Sequence, residues 1–137
     1  MASVGDVRAL LALAVCVAAL AAGCGEDDGG GGGFRPLVDL TVSLDPDGDG
    51  PEPAREAEVR CGREDRSELC GQVAALKPAD FEPVPDDVAC TQQFGGPQVA
   101  EVTGTLRRTP VDARFSRQNG CEISRWQTVR PLLEAAG

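Results

Sequence analysis

Apolar and polar residues alternate most cleanly along Val38-Asp39-Leu40-Thr41-Val42-Ser43-Leu44. A period of two puts Val38, Leu40, Val42 and Leu44 on one face and predicts a half-buried strand. Glu56 to Cys61 reads as a second strand, and the link between the two, residues 45–53, is rich in Asp, Gly and Pro, the residues of turns. The period then lengthens. Asp65-Arg66-Ser67-Glu68 resembles a capping box, and Leu69, Val73 and Leu76 follow at helical spacing, predicting a helix over about 66–76 that Pro78 stops. Residues 78–89 carry Pro78, Pro83 and Pro85 and read as a rigid, extended loop. Gln98–Leu106 reads as a strand and Pro110–Ser116 as its partner, with Val111, Ala113 and Phe115 alternating. Arg107-Arg108-Thr109 makes the turn between them and reads as solvated rather than as a basic binding patch. Asn119-Gly120 signals a tight turn. Glu122 to Leu133 predicts a short helix with Ile123, Trp126 and Val129 inward, and at this spacing Trp126 reads as core rather than as a binding aromatic.

The N-terminus has a different character. From Ala9 to Ala22 no residue is charged, and Arg8 precedes the run. Its 14 residues fall short of the roughly 20 that span a bilayer but suit the core of an export signal. The run ends in Leu20-Ala21-Ala22-Gly23-Cys24, which resembles a lipobox, with Ala21 where that motif more often has leucine. The expectation is cleavage before Cys24 and lipid on Cys24. Gly25-Glu26-Asp27-Asp28 and the five glycines Gly29 to Gly33 can bury nothing and read as a flexible tether. The expected organisation is a lipoprotein signal peptide over 1–23, a lipidated cysteine and tether over 24–35, and one domain over 36–137. Such a protein is exported and held at the outer face of the cell membrane by its lipid alone.

Removing residues 1–23 takes away one Arg and one Asp, leaving 13 − 1 = 12 basic and 22 − 1 = 21 acidic side chains, a formal charge of −9. This acidity disfavours nucleic acid and anionic lipid headgroups as partners. Histidine is absent and Lys77 is the sole lysine. Without histidine there is no Ser-His-Asp or Cys-His arrangement and no histidine zinc site, so neither an enzyme nor a cofactor is expected. With Cys16 in the signal and Cys24 lipidated, four cysteines remain: Cys61, Cys70, Cys90 and Cys121. An even number in an exported small domain implies disulfides, and three pairings are possible. Sequential pairing closes the shortest loops and on a chain-entropy model would contribute ~2.7 and ~3.7 kcal/mol. A four-cysteine zinc site is the rival, but spacings of 9, 20 and 31 residues offer no close CxxC pair. Asp45, Asp47, Asp49, Gly50 and Glu56 fall at positions one, three, five, six and twelve of a calcium loop. Glu52 where an apolar residue belongs, Pro51 and Pro53 in the loop, and a strand before it favour an acidic hairpin loop instead, so no metal is expected.

The stretch Ala89-Cys90-Thr91-Gln92-Gln93-Phe94-Gly95-Gly96-Pro97-Gln98-Val99 resembles the reactive-loop region of the Streptomyces subtilisin inhibitor-like family. Val102-Thr103-Gly104-Thr105, Val111-Asp112-Ala113-Arg114-Phe115-Ser116-Arg117, Asn119-Gly120-Cys121-Glu122 and Arg125-Trp126 continue the likeness in order, from about Pro85 to Leu133, with a weaker match over Leu37–Leu76. The resemblance implies an α+β sandwich: an antiparallel sheet of about five strands, two short helices, and disulfides Cys61–Cys70 and Cys90–Cys121. It also implies standard-mechanism inhibition of a subtilisin-like serine protease. In that mechanism an exposed loop enters the cleft as a substrate would. Carried onto this chain, Gln92 fills the primary pocket and Gln92–Gln93 is the scissile bond. Cys90 and Thr91 lie on the acyl side, Phe94 lies beyond the bond, and Asn119 supports the loop from beneath. Relatives can dimerise through the sheet, so a homodimer is a further expected partner. Active relatives often carry an apolar or basic residue at the pocket position. Glutamine has neither a charge nor a large apolar surface, so the inhibition expected is narrow and does not extend to trypsin. Leu106 and Arg108 stand where relatives have tryptophan and glycine. The reading from another class is a non-inhibitory envelope lipoprotein that uses the fold as a binding or structural module.

Overall fold

A computed structural model of the chain describes residues 36–137; the expected signal peptide, Cys24 and the glycine tether lie outside the described residues. Four strands form one antiparallel sheet: β1 (Val38–Asp45), β2 (Arg55–Cys61), β3 (Val99–Leu106) and β4 (Thr109–Phe115), in the spatial order β2-β1-β3-β4. The register follows from the alternation. Val38, Leu40 and Val42 face the same side as Cys61, Val59 and Ala57 across one ladder and as Leu106, Gly104 and Val102 across the other. Val111, Ala113 and Phe115 extend that face on β4. Helices α1 (Glu68–Ala74) and α2 (Gly120–Leu133) cover it with Val73, Trp126, Val129, Leu132 and Leu133, giving a two-layer α+β domain with a single core. The opposite sheet face stays in water. There Asp39 pairs directly with Arg60 at 3.2 Å and Glu101 with Arg114 at 2.9 Å, exposed cross-strand pairs that help register more than stability.

The sheet has four strands, not the five that the family resemblance implies. Between α1 and β3 no residue joins the sheet. Pro78, Pro83, Pro85 and Pro97 each lack an amide proton, and Val88 N–H turns back to the Pro85 carbonyl. Within this segment Pro78–Phe81 winds into a 3-10 turn rather than continuing the extended loop predicted from residue 78. Its purpose is visible in Phe81, which is buried edge-to-face against Phe115 with ring centroids 6.1 Å apart.

The helices start where side chains satisfy their first amides. Ser67, rather than Asp65, caps α1, its hydroxyl accepting from Cys70 N–H, and the helix is shorter than the predicted 66–76. The Ser67 amide and hydroxyl in turn hold the Asp65 carboxyl below the usual carboxylate range. Both expected disulfides are present: Cys61–Cys70 ties the end of β2 to α1, and Cys90–Cys121 ties the segment before β3 to α2. Gly104 is exposed on β3 at φ +130°, and a Cβ there would lie 2.1 Å from the Asp39 carbonyl oxygen, so no larger residue fits.

The β3–β4 hairpin closes with only two residues, Arg107 and Arg108, both at positive φ (50° and 73°). Such a tight turn matches the twist of the strands but favours Asn-Gly or glycine over arginine. Arg107 has compensating contacts: its amide donates to the Leu37 carbonyl and its guanidinium to the Ala74 carbonyl at the end of α1. Arg108 therefore carries the avoidable strain. Arg108→Gly is expected to stabilise the domain by about 0.5–1 kcal/mol, the left-handed penalty less the added chain entropy of glycine, read as a rise in the urea midpoint with unchanged slope.

Candidate functional site

The segment leading to the loop is stiffened before it leaves the domain. Pro83 and Pro85 fix their own φ angles and restrict the residues before them. Ala89 to Gly96 then forms neither helix nor strand. Ala89, Thr91, Gln92 and Gln93 are exposed, and Phe94 is 69 % exposed, an unusual position for an aromatic ring.

Both ends of this stretch are pinned to one short segment, Arg117 to Cys121. On the acyl side of the expected bond, the Cys90–Cys121 disulfide holds residue 90, and Gly120 N–H donates to the Thr91 carbonyl at 3.0 Å. On the far side, Gly95 N–H donates to the Arg117 carbonyl at 2.8 Å. Only Gln92, Gln93 and Phe94 lie between the two feet. The approach is close enough to dictate sequence. A Cβ at position 120 would lie 2.1 Å from the Thr91 hydroxyl oxygen, and one at position 95 would lie 3.0 Å from the Ile123 side chain. Ile123, expected to face the core, instead lies half-buried beneath the loop.

Asn119 stands at the start of α2. Its carboxamide oxygen accepts from Glu122 N–H at 3.0 Å and caps α2, which begins two residues earlier than predicted. The hydrogen bonds that reach the loop come from the backbone of its neighbours, Arg117 and Gly120. Arg117 is braced in turn: its guanidinium donates to the Gln98 carboxamide at 2.9 Å and lies 5.8 Å from the centroid of the buried Trp126 ring. Trp126 thus belongs to the core, as its spacing predicts.

A second arginine locks the helix start to the rest of the molecule. Arg125, 14 % exposed, pairs with Glu122, donates to the backbone carbonyls of Arg114 and Phe81, and stacks over the Phe115 ring. It therefore joins β4, α2 and the 3-10 turn that begins the proline-rich segment. Beside the loop an open groove of about 700 Å³ runs between this segment and α2, with Pro83, Val84, Val88, Thr91, Gln93 and Cys121 among its walls.

Metal chemistry finds little here. Among the described residues, Cys61, Asp65 and Cys70 form the one cluster of three groups with ligand atoms close together, and both thiols are already spent on a disulfide. In the 45–53 loop, Asp45 accepts from the Asp47 amide and Asp47 from the Glu52 amide, so these carboxylates organise the turn itself. No helix among the described residues is long and apolar enough to cross a membrane. No family model matches the chain, and neither a curated protein nor a solved structure does. Fold and site together define a small α+β disulfide domain that presents a short, doubly fastened arch.

Capping and loop support make different demands on residue 119. Asn119→Ala is expected to cost about 1 kcal/mol, whereas Asn119→Asp, whose carboxylate still accepts from Glu122 N–H, stays within a few tenths, both measured by urea denaturation. A loss of equal size with Asp would show that the NH₂ group of Asn119 carries the contribution.

Proposed function

We propose that the protein inhibits a subtilisin-like serine protease by presenting Gln92–Gln93 as a substrate-like bond, and that lipid on Cys24 holds it at the outer face of the cell membrane. The observation that carries the reading is the three-residue arch Gln92–Phe94, exposed and fastened at both feet. An ordinary peptide loses conformational entropy when a protease cleft straightens it and drifts apart once cut. Here the fold already fastens both ends of the loop. If the bond at Gln92–Gln93 breaks, the acyl end stays attached through Cys90 and Thr91 and the amine end through Gly95. The new termini remain face to face, so religation competes with release. Affinity concentrates in the residue that enters the primary pocket and in its exposed neighbours.

Gln92 sets the breadth of the inhibition. Its carboxamide can hydrogen-bond in a permissive pocket, but it offers no charge to an acidic pocket and little apolar area to a hydrophobic one. Purified protein is expected to inhibit subtilisin and leave trypsin active, and Gln92→Lys is expected to gain trypsin inhibition. Steady digestion of the loop by subtilisin, with no slowing of the enzyme, would point instead to a non-inhibitory envelope module.

The anchor is tested separately. Metabolic labelling with a palmitate analogue should mark the full-length protein and disappear in Cys24→Ala. Labelling that survives this substitution would remove Cys24 from the proposal.

A further inference from the structure

The two disulfides lie in contrasting surroundings. Cys61 and Cys70 are 2 % and 6 % exposed and belong to the hydrophobic core. Cys90 and Cys121 are half-buried, stand outside that core, and Cys121 forms part of the wall of the open groove beside the loop. Thiol–disulfide exchange needs a thiolate to reach a sulfur, so access separates the two bonds before any difference in intrinsic chemistry does. The groove is about 700 Å³ and walled in part by Pro83, Val84 and the exposed Val88, room enough for a reductant to approach from solvent. Around Cys61–Cys70 the same approach requires the β2–α1 contact to open.

We infer that Cys90–Cys121 is a redox-addressable site that a dithiol reductant opens while Cys61–Cys70 and the fold stay intact. One thiolate of the reductant attacks the Cys121 sulfur from the groove, the Cys90–Cys121 bond breaks, and Cys90 leaves as a thiolate. The second thiol of the reductant then attacks its own sulfur in the mixed disulfide and releases Cys121. The reductant ends as a disulfide, its two electrons and two protons now on Cys90 and Cys121.

The consequence falls on one foot of the arch. Without the bridge, the acyl side keeps only the Gly120–Thr91 hydrogen bond, whereas the far side retains Gly95–Arg117. A cut at Gln92–Gln93 would then free the acyl end and remove the advantage of religation. This consequence for inhibition rests on the function proposed above; the selective reduction does not.

The full-length protein is titrated with dithiothreitol, trapped with N-ethylmaleimide and mapped by peptide mass spectrometry. Cys90 and Cys121 are expected to be labelled at concentrations about ten-fold or more below those needed for Cys61 and Cys70, given the difference in access. Far-UV circular dichroism should be unchanged at that stage. Labelling of all four together, labelling of Cys61 and Cys70 first, or loss of secondary structure with the first pair overturns the inference. In a second arm, the selectively reduced and trapped protein is exposed to subtilisin, and cutting between Thr91 and Gly95 is expected to accelerate about ten-fold or more over the oxidised form. Unchanged cutting overturns the effect on the arch. Selective reduction in a protein that never slows subtilisin would refute the inhibitor reading and leave the redox site standing.

Discussion

Between Arg117 and Cys121 the chain fastens an exposed loop and starts a helix in the same five residues. The Arg117 carbonyl takes one foot of the arch, the Gly120 amide takes the other, Asn119 caps α2, and Cys121 closes the disulfide. The economy is physical. The first amides of any helix lack intrahelical partners, and here one of them, at Gly120, finds its acceptor in the loop. The loop therefore inherits the rigidity of α2, which Trp126, Val129 and Leu132 seat in the core. A loop fastened to another loop would have no such support.

The two bracing arginines extend this logic outward. Arg125 links α2 to β4 and to the turn at Phe81, and Arg117 links the far foot to Gln98 and Trp126. Neither bond set is a strong stability argument, since partly buried charges lose much of their gain to desolvation. What they supply is direction. Each guanidinium fixes several backbone or ring positions at once, and those positions are the ones on which the loop rests. The arch is thus held by a chain of short-range contacts that runs without a break into the sheet.

The regular elements were legible because each carries its own period. Val38–Leu44 and residues 110–116 alternate cleanly, residues 98–106 read as a strand, and all three became strands, with Val38, Leu40, Val42, Val111, Ala113 and Phe115 inward as expected. The family resemblance supplied the pairing of cysteines, which the spacing alone left open. What the local pattern did not show were contacts made across the fold. Ile123 has the spacing of a core residue, yet it serves as a floor under Gly95 because α2 begins at the edge of the core. Pro78–Phe81 looked extended, but burial of Phe81 against Phe115, 34 residues further along (115 − 81), coils it. Asn119-Gly120 reads as a tight turn, but Asn119 is an extended helix cap and Gly120 opens α2; that Gly120 also meets Thr91 depends on a partner 29 residues earlier (120 − 91). The missing fifth strand is a case where the likeness to a family outran the prolines in this chain.

The separation between support and display has a further consequence. Gln92, Gln93 and Phe94 are exposed, and exposed side chains outside special backbone positions change stability little when replaced, within about 0.5 kcal/mol. The residues beneath them have no such freedom: Gly95, Gly120 and Cys121 are fixed by close approach or by a covalent bond. The fold thus restrains where the arch stands and leaves open what it shows. Glutamine at position 92 answers no requirement of folding. The same holds for the aromatic ring of Phe94, which gains little from burial in the free domain and has most of its surface left to bury against a partner. In a domain whose other large apolar side chains are almost all gathered into one core, that ring is the clearest exception, and it stands on the arch.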